Sequence, residues 1–126
     1  MTFRQYKTSI GKQVLLGKSA ETNEELVSQI GRDELVFHSS KPGSPFANVK
    51  SSEGLSKKEI YEVAIMCAKH SQDWRDNKRD VKVHYFLGRD VYKTKGMSVG
   101  TFGVKKFKKI NVKKADILGF EEGRGI

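Results

Sequence analysis

The sequence predicts an α+β fold, built as a single domain with a mostly antiparallel sheet, one long buried helix and one short helix. Three observations support this prediction. Short apolar runs alternate with turn residues, two segments carry helix-capping signals, and 126 residues with 37% hydrophobic composition suffice for one core. The expected order is strand, strand, helix, strand, strand, helix and then about four strands.

The first half of the chain contains a hairpin, the short helix and two further strands. An extended segment around Phe3 and Tyr6 precedes turn residues, and the apolar run 14–16 returns as the second strand. Thr22 and Glu25 have capping-box spacing, which predicts a helix over 22–30. Apolar runs at 35–37 and 46–49 predict strands on either side of a Lys-Pro-Gly-Ser-Pro loop.

The long helix has the clearest start signal. Ser56 and Glu59 form a capping box, while Leu55 and Ile60 have the spacing of a hydrophobic staple. Apolar residues then cover most of the helix circumference, so we expect a central helix that ends near Asn77.

Alternating residues predict a strand at 81–87, and Val91 and Tyr92 then lead into a glycine-containing loop at 93–100. A last hairpin is expected to pair 101–104 with 110–112, turning through the lysine-rich residues 105–109. These elements place the domain at residues 1–114 and leave 115–126 as a C-terminal tail.

Composition excludes several classes of protein. No apolar run approaches the length of a membrane span, and the N-terminus lacks a signal-peptide core. The single Cys67 forms no internal disulfide and holds no zinc alone, which fits a reducing compartment. We therefore expect a cytoplasmic protein with no cofactor, no structural metal and no membrane partner.

Positive charge is concentrated in one part of the chain. The net charge is +9, but residues 69–114 hold 14 basic and four acidic side chains, and the remainder is close to neutral. A segregated positive field attracts polyanions, so nucleic acid or an anionic membrane face is the natural partner class. Aromatic residues lie between these cations. Trp74 and Tyr85 are expected to pack in the core, and Phe107 is the best candidate for an exposed ring.

The loop after His38 is a second candidate site. Its hydroxyls, backbone amides and lysine suit an oxyanion, although such a segment is also an ordinary turn. His70 and His84 have ordinary structural explanations, and Cys67 lies on the apolar helix face as a small hydrophobe. The glycines match neither a Walker loop nor a dinucleotide fingerprint. The candidate nucleic-acid-binding residues are His38, Lys41, Gly43, Ser44, Arg75, Lys78, Arg79, Arg89, Lys93, Lys95, Lys105, Lys106, Lys108 and Lys109.

The order of these motifs resembles the RNA-binding domain of the NFACT proteins over roughly residues 3–114. The resemblance lies in the strand ending at Gly17, the Asn23-Glu24 helix start, the strand ending at His38, the Pro-Gly-Ser loop and the segment Gly96 to Gly100. It implies a stand-alone module that contacts RNA, including tRNA and rRNA, with links to the ribosome and to ribosome-associated quality control.

The leading hypothesis is a non-catalytic module that binds structured RNA, tRNA or rRNA, mainly through phosphates. Alternatives are an RNA-modification enzyme or accessory subunit that uses His38 as acid or base, a DNA-binding module, and a protein-docking module on the ribosome.

Overall fold

The computed structural model describes residues 3–123. They form eight β-strands and four α-helices. The strands are β1 (Arg4–Lys7), β2 (Gln13–Leu16), β3 (Leu35–Ser39), β4 (Ala47–Val49), β5 (Val81–Leu87), β6 (Val91–Tyr92), β7 (Gly103–Val104) and β8 (Lys108–Val112). The helices are α1 (Ala20–Ser28), α2 (Lys57–Lys69), α3 (Gln72–Asn77) and α4 (Lys114–Glu121), and a 3₁₀ turn covers Gly88–Asp90.

Six strands form one sheet in the order β1-β2-β4-β3-β5-β8, and every neighbouring pair is antiparallel. The short strands β6 and β7 form a separate antiparallel ribbon. The predicted α+β class, with its antiparallel sheet and long buried helix, is confirmed. Within residues 3–123 no helix has the length and apolar character needed to cross a membrane.

Helix α2 covers one face of the sheet. Ser56 caps it, since its hydroxyl accepts the Glu59 N–H while the Glu59 carboxylate accepts the Ser56 N–H. The run from Glu62 to Ala68 is buried, and it packs on sheet residues such as Leu16, Phe37 and Val83. Burial on nearly all sides makes α2 the central element of the domain.

The opposite face of the sheet is only partly covered. Leu26 of α1 packs with Val36, Phe46 and Phe86 in a second, smaller core, and the β6–β7 ribbon adds Val104 at its edge. Near α1 the sheet is therefore buried on both faces. Next to α1, the sheet face opposite α2 stays uncovered.

Two predicted helix boundaries were wrong. The short helix begins earlier, at a capping box made by Ser19 and Thr22, because Ser19 has the extended backbone that a cap needs. The long helix ends at Lys69, and Ser71 caps the separate helix α3 by accepting the Trp74 N–H. A cap residue inside the apolar pattern thus divides one expected helix into two.

The predicted last hairpin does not form. Strand β7 pairs with β6, whereas β8 pairs with β5, with Ile110 opposite Val83 and Val112 opposite Val81. This pairing buries Val112 under α2, which a local hairpin would not achieve. The expected C-terminal tail, 115–126, largely forms α4, whose Ile117 is fully buried; residues 124–126 lie outside the described part of the chain.

Candidate nucleic-acid interface

A cleft of about 870 Å³ opens on the second face of the sheet, beside α1. Its walls come from the loop after β3, the starts of α1 and α3, and the segment before β7. Of the predicted site residues, His38, Lys41, Gly43, Ser44 and Arg75 line it.

Strand register builds the floor of the cleft. His38 lies opposite His84 across β3 and β5, and His84 lies opposite Lys109 across β5 and β8. On the other side, the His38 and Phe46 rings lie 4.4 Å apart between centroids. Because directly opposed residues in antiparallel strands share a face, Phe46, His38, His84 and Lys109 form a row across the sheet.

All three histidines of the chain line this cleft. Burial lowers the pKa of His38 to about 4, and the same cause, assisted by Arg4 and Lys69, lowers the pKa of His70 to about 4. Burial and Lys109 also lower the pKa of His84. The three imidazoles are therefore neutral at pH 7.

The loop after β3 is held firmly. Gly43 has a φ of +80°, and its carbonyl accepts the Gln72 N–H at 2.9 Å. A Cβ at this glycine would lie 2.3 Å from the Gln72 side chain, so the site requires glycine in both conformation and space. Ser44 is buried, and its hydroxyl accepts the Ser39 N–H and donates to the Pro45 carbonyl. Ser44 thus shapes the loop from the inside.

The rim of the cleft is cationic. Arg4, Lys18, Lys41 and Arg75 line it, and among the described residues no Asp or Glu does. Arg75 forms an ion pair with Asp76 at 2.9 Å, outside the lining. Within residues 3–123, Lys18 and Lys41 have no carboxylate within 4 Å, so both ammonium groups remain available to an anion.

The lysine segment, residues 105–109, adjoins the cleft. Phe107 lines the cleft, 43% exposed, with its ring 4.1 Å from that of His84 in an edge-on arrangement. The four lysines of the segment are exposed. The cleft and the lysine segment therefore form one continuous positive surface, because Lys109 lies directly opposite His84 on the neighbouring strand.

Several predicted cations are engaged elsewhere. Arg79 pairs with the buried Asp73, Arg89 pairs with Asp33, and Lys78 lies over the Trp74 ring at 4.8 Å. Trp74 is almost fully buried, which confirms its predicted packing role. Lys95 is exposed on the loop before β7, apart from the cleft lining.

Lys93 organises the loop that forms one cleft wall. Its ammonium donates to the Glu24 carboxylate and to the carbonyls of Ser98 and Thr101, and it lies 4.5 Å from the centre of the Phe102 ring. The Gly100 N–H also donates to Glu24. These bonds lower the pKa of Glu24, with the Lys93 hydrogen bond as the main cause. The observed role of Lys93 is to hold this loop against α1.

Sequence reasoning missed Arg4, Lys18, Gln72, His84 and Phe102 as parts of the site. They come from five separate segments that only the folded sheet brings together. One signal was present: Phe86 lies two residues after His84 and so shares its face of the strand, and a large apolar residue there indicates a covered face.

The described residues offer neither a reactive thiol nor a cluster of metal ligands at this cleft. Cys67 is fully buried, and burial raises the pKa of its thiol to about 12, which leaves it unreactive. Across residues 3–123, no three His, Cys, Asp or Glu side chains gather where they could hold a metal ion.

Comparisons with known proteins agree with this architecture. The family model for the NFACT protein RNA binding domain matches residues 2–106. The archaeal Rqc2 homolog aRqcH of Methanocaldococcus jannaschii is 26% identical over 96 residues, which cover 73% of this chain and 14% of that protein.

The C-terminal part of the fibronectin/fibrinogen-binding protein from Streptococcus suis has the same fold. The two superpose with a TM-score of 0.81 at 20% identity, covering 90% of this chain and 45% of that one. This chain thus spans a small part of the archaeal relative and under half of the streptococcal one. Since the family model covers most of its length, the chain belongs to the NFACT RNA-binding domain family.

Proposed function

We propose that this chain is a non-catalytic module that binds structured RNA, tRNA or rRNA, through the cleft and the adjoining lysine segment. The family assignment supports an RNA-binding role. The archaeal relative is named as an Rqc2 homolog, and this supports a role tied to ribosome quality control in the cytoplasm, with the ribosome as the larger partner.

The carboxylate-free cleft is the observation that carries this proposal. In residues 3–123 every charged side chain that lines it is basic, and the lysine segment extends the same sign of charge past Phe107. Such a surface matches a phosphate backbone, which presents regularly spaced negative charge. Exposed lysines bind phosphates as point charges, so we expect weak sequence specificity and strong salt dependence.

An enzyme that uses His38 as acid or base receives less support. General catalysis at neutral pH needs a pKa near 7, whereas burial holds the pKa of His38 at about 4. The described cleft lining also offers no carboxylate to orient the imidazole or to share a proton. The cleft is therefore better suited to binding than to proton transfer.

Matched lysine variants test the proposal. Lys18→Gln/Lys41→Gln removes two rim charges, and Lys57→Gln/Lys58→Gln removes two exposed charges at the far end of α2, about 18 Å along the helix from the cleft. Affinity for a tRNA transcript is measured from 50 to 300 mM salt. We expect the rim variant to flatten the slope of log K against log salt by about 1.5 and the control to leave it unchanged.

The lysine segment is tested separately. Replacing all four lysines of this segment by Gln is expected to flatten the slope of log K against log salt by about 3. The four residues are Lys105, Lys106, Lys108 and Lys109. Equal effects of the rim and control pairs would contradict the proposed surface, and tighter binding of duplex DNA than of tRNA would favour a DNA-binding module.

A further inference from the structure

The cleft contains more than charge, because aromatic rings form much of its floor. Phe46 and Phe102 meet edge-on with centroids 5.4 Å apart, Phe46 also contacts His38, and Phe107 contacts His84. Phe46 and Phe102 also pack in the smaller core, whereas Phe107 is 43% exposed. Aromatic faces are the groups on which unpaired bases stack.

Exposed apolar residues gather at the mouth of this cleft. Phe107 is 43% exposed and Val99 is 58% exposed, and both belong to the lining. Phe107 lies within the lysine segment, and Val99 lies on the loop held by Lys93. The cleft volume of about 870 Å³ falls within the range of sites that enclose small organic ligands.

Neutral hydrogen-bonding groups complete the lining. The imidazoles of His38 and His84, the Gln72 amide and the Thr101 hydroxyl all line the cleft. Neutral groups of this kind pair with the edges of a base, whose donors and acceptors are themselves uncharged. The cations lie at the rim, where a nucleotide carries its phosphate.

We propose that the cleft receives one unpaired nucleotide of the bound RNA, with its base against Phe107 and Phe102 and its phosphate at Lys18 and Lys41. This inference rests on the proposed RNA binding and adds a preference to it. RNA with an unpaired nucleotide beside a helix binds better than a fully paired RNA of equal charge. Stacking, which every base can provide, makes the preference insensitive to base identity.

The experiment compares two RNA hairpins with the same stem. One has a blunt end and extra base-paired nucleotides, so that the two RNAs carry equal charge. The other ends in a short unpaired overhang that contains 2-aminopurine. We expect the wild-type protein to bind the overhang hairpin about 10-fold more tightly and to change the 2-aminopurine fluorescence through stacking.

Phe107→Leu removes the exposed ring and keeps an apolar side chain, while Ile10→Ala alters an exposed apolar residue at the β1–β2 turn, outside the cleft lining. Phe107→Leu is expected to abolish both the preference and the fluorescence change, and Ile10→Ala to alter neither. A wild-type protein that binds both hairpins equally refutes the nucleotide site and leaves RNA binding intact. A protein that binds neither hairpin refutes the proposed function itself.

Discussion

The side chain of Asn23 links α1 to the cleft floor. The stability lost when it is replaced by alanine follows from its hydrogen bonds. Its side-chain oxygen accepts the Phe46 N–H at 3.1 Å, and its amide donates to the Ser44 carbonyl at 3.4 Å. Asn23 is 8% exposed and Phe46 is 3% exposed, so water does not replace these bonds. Asn23→Ala therefore leaves a buried N–H without a partner.

The expected magnitude follows from this loss. An unpaired buried N–H costs about 1–3 kcal/mol and the longer second bond adds up to about 1 kcal/mol. The higher helix propensity of alanine offsets about 0.5 kcal/mol of this loss in the free energy of unfolding. We expect Asn23→Ala to lower the free energy of unfolding by about 2 kcal/mol, which corresponds to about 8 °C in Tm for a chain of this size.

The assay is urea unfolding followed by the fluorescence of the buried Trp74. Asn111→Ala is the matched control, because Asn111 is exposed and its side-chain amide donates to the carboxylate of Asp80 near the surface; we expect it to lower the free energy of unfolding by less than about 0.5 kcal/mol. Equal costs for the two variants would refute the reasoning.

A double-mutant cycle with Gly17 sharpens this test. A Cβ at Gly17 would lie 2.0 Å from the Asn23 side-chain oxygen, so Gly17→Ala must displace that amide. In the Asn23→Ala background the obstructing oxygen is absent. We therefore expect Gly17→Ala to lower the free energy of unfolding by about 1 kcal/mol less in that background than in the wild-type protein. Additive costs would show that Asn23 does not hold the position described.

Three further outcomes are expected. Because burial lowers the pKa of His38 to about 4, the unfolded chain binds its proton first as pH falls; the contribution of His38 to stability should therefore drop between pH 6.5 and 4 by at most about 3 kcal/mol, and His38→Gln should remove that part of the drop in urea midpoints. Lys93→Met should speed hydrogen exchange at the Gly100 amide while leaving the tRNA salt slope unchanged, since Lys93 is engaged within the protein. Cys67 should react with a thiol reagent only on unfolding, and labelling in the native protein would contradict its burial.

Local signals predicted most elements of the fold. The cap at Ser56, the alternation in β5 and the breaker loop before Phe46 each depend on neighbours in the chain, and each is present in the structure. Strand pairing is different, because it is decided by which apolar residues can be buried together. Ile110 and Val112 pair with β5 rather than with the nearer β7, and no local pattern distinguishes these choices.

The candidate site was predicted only in part for the same reason. The lysine segment and the loop after His38 are continuous in sequence, so composition alone drew attention to them. Arg4, Lys18 and His84 join the site through strand register and through the position of α1. Conversely, charge density suggested Arg79 and Arg89, whose partners Asp73 and Asp33 are visible only in the fold. The phosphate contacts of the individual lysines stay predictions.

The separation between a neutral floor and a charged rim has a physical basis. A lysine on the floor would have to lose its hydration, which costs several kcal/mol without a partner, whereas a histidine there loses its proton instead. His38 and His70 do so, with each pKa at about 4. In the proposed complex, long-range attraction comes from Lys18, Lys41 and the lysine segment, where water screens it. In the proposed complex, discrimination between paired and unpaired RNA comes from stacking on Phe107 and Phe102, where salt has little effect. Added salt should therefore weaken binding of both RNAs while leaving the ratio of their affinities nearly constant, and a ratio that fell steeply with salt would place the preference in the rim instead.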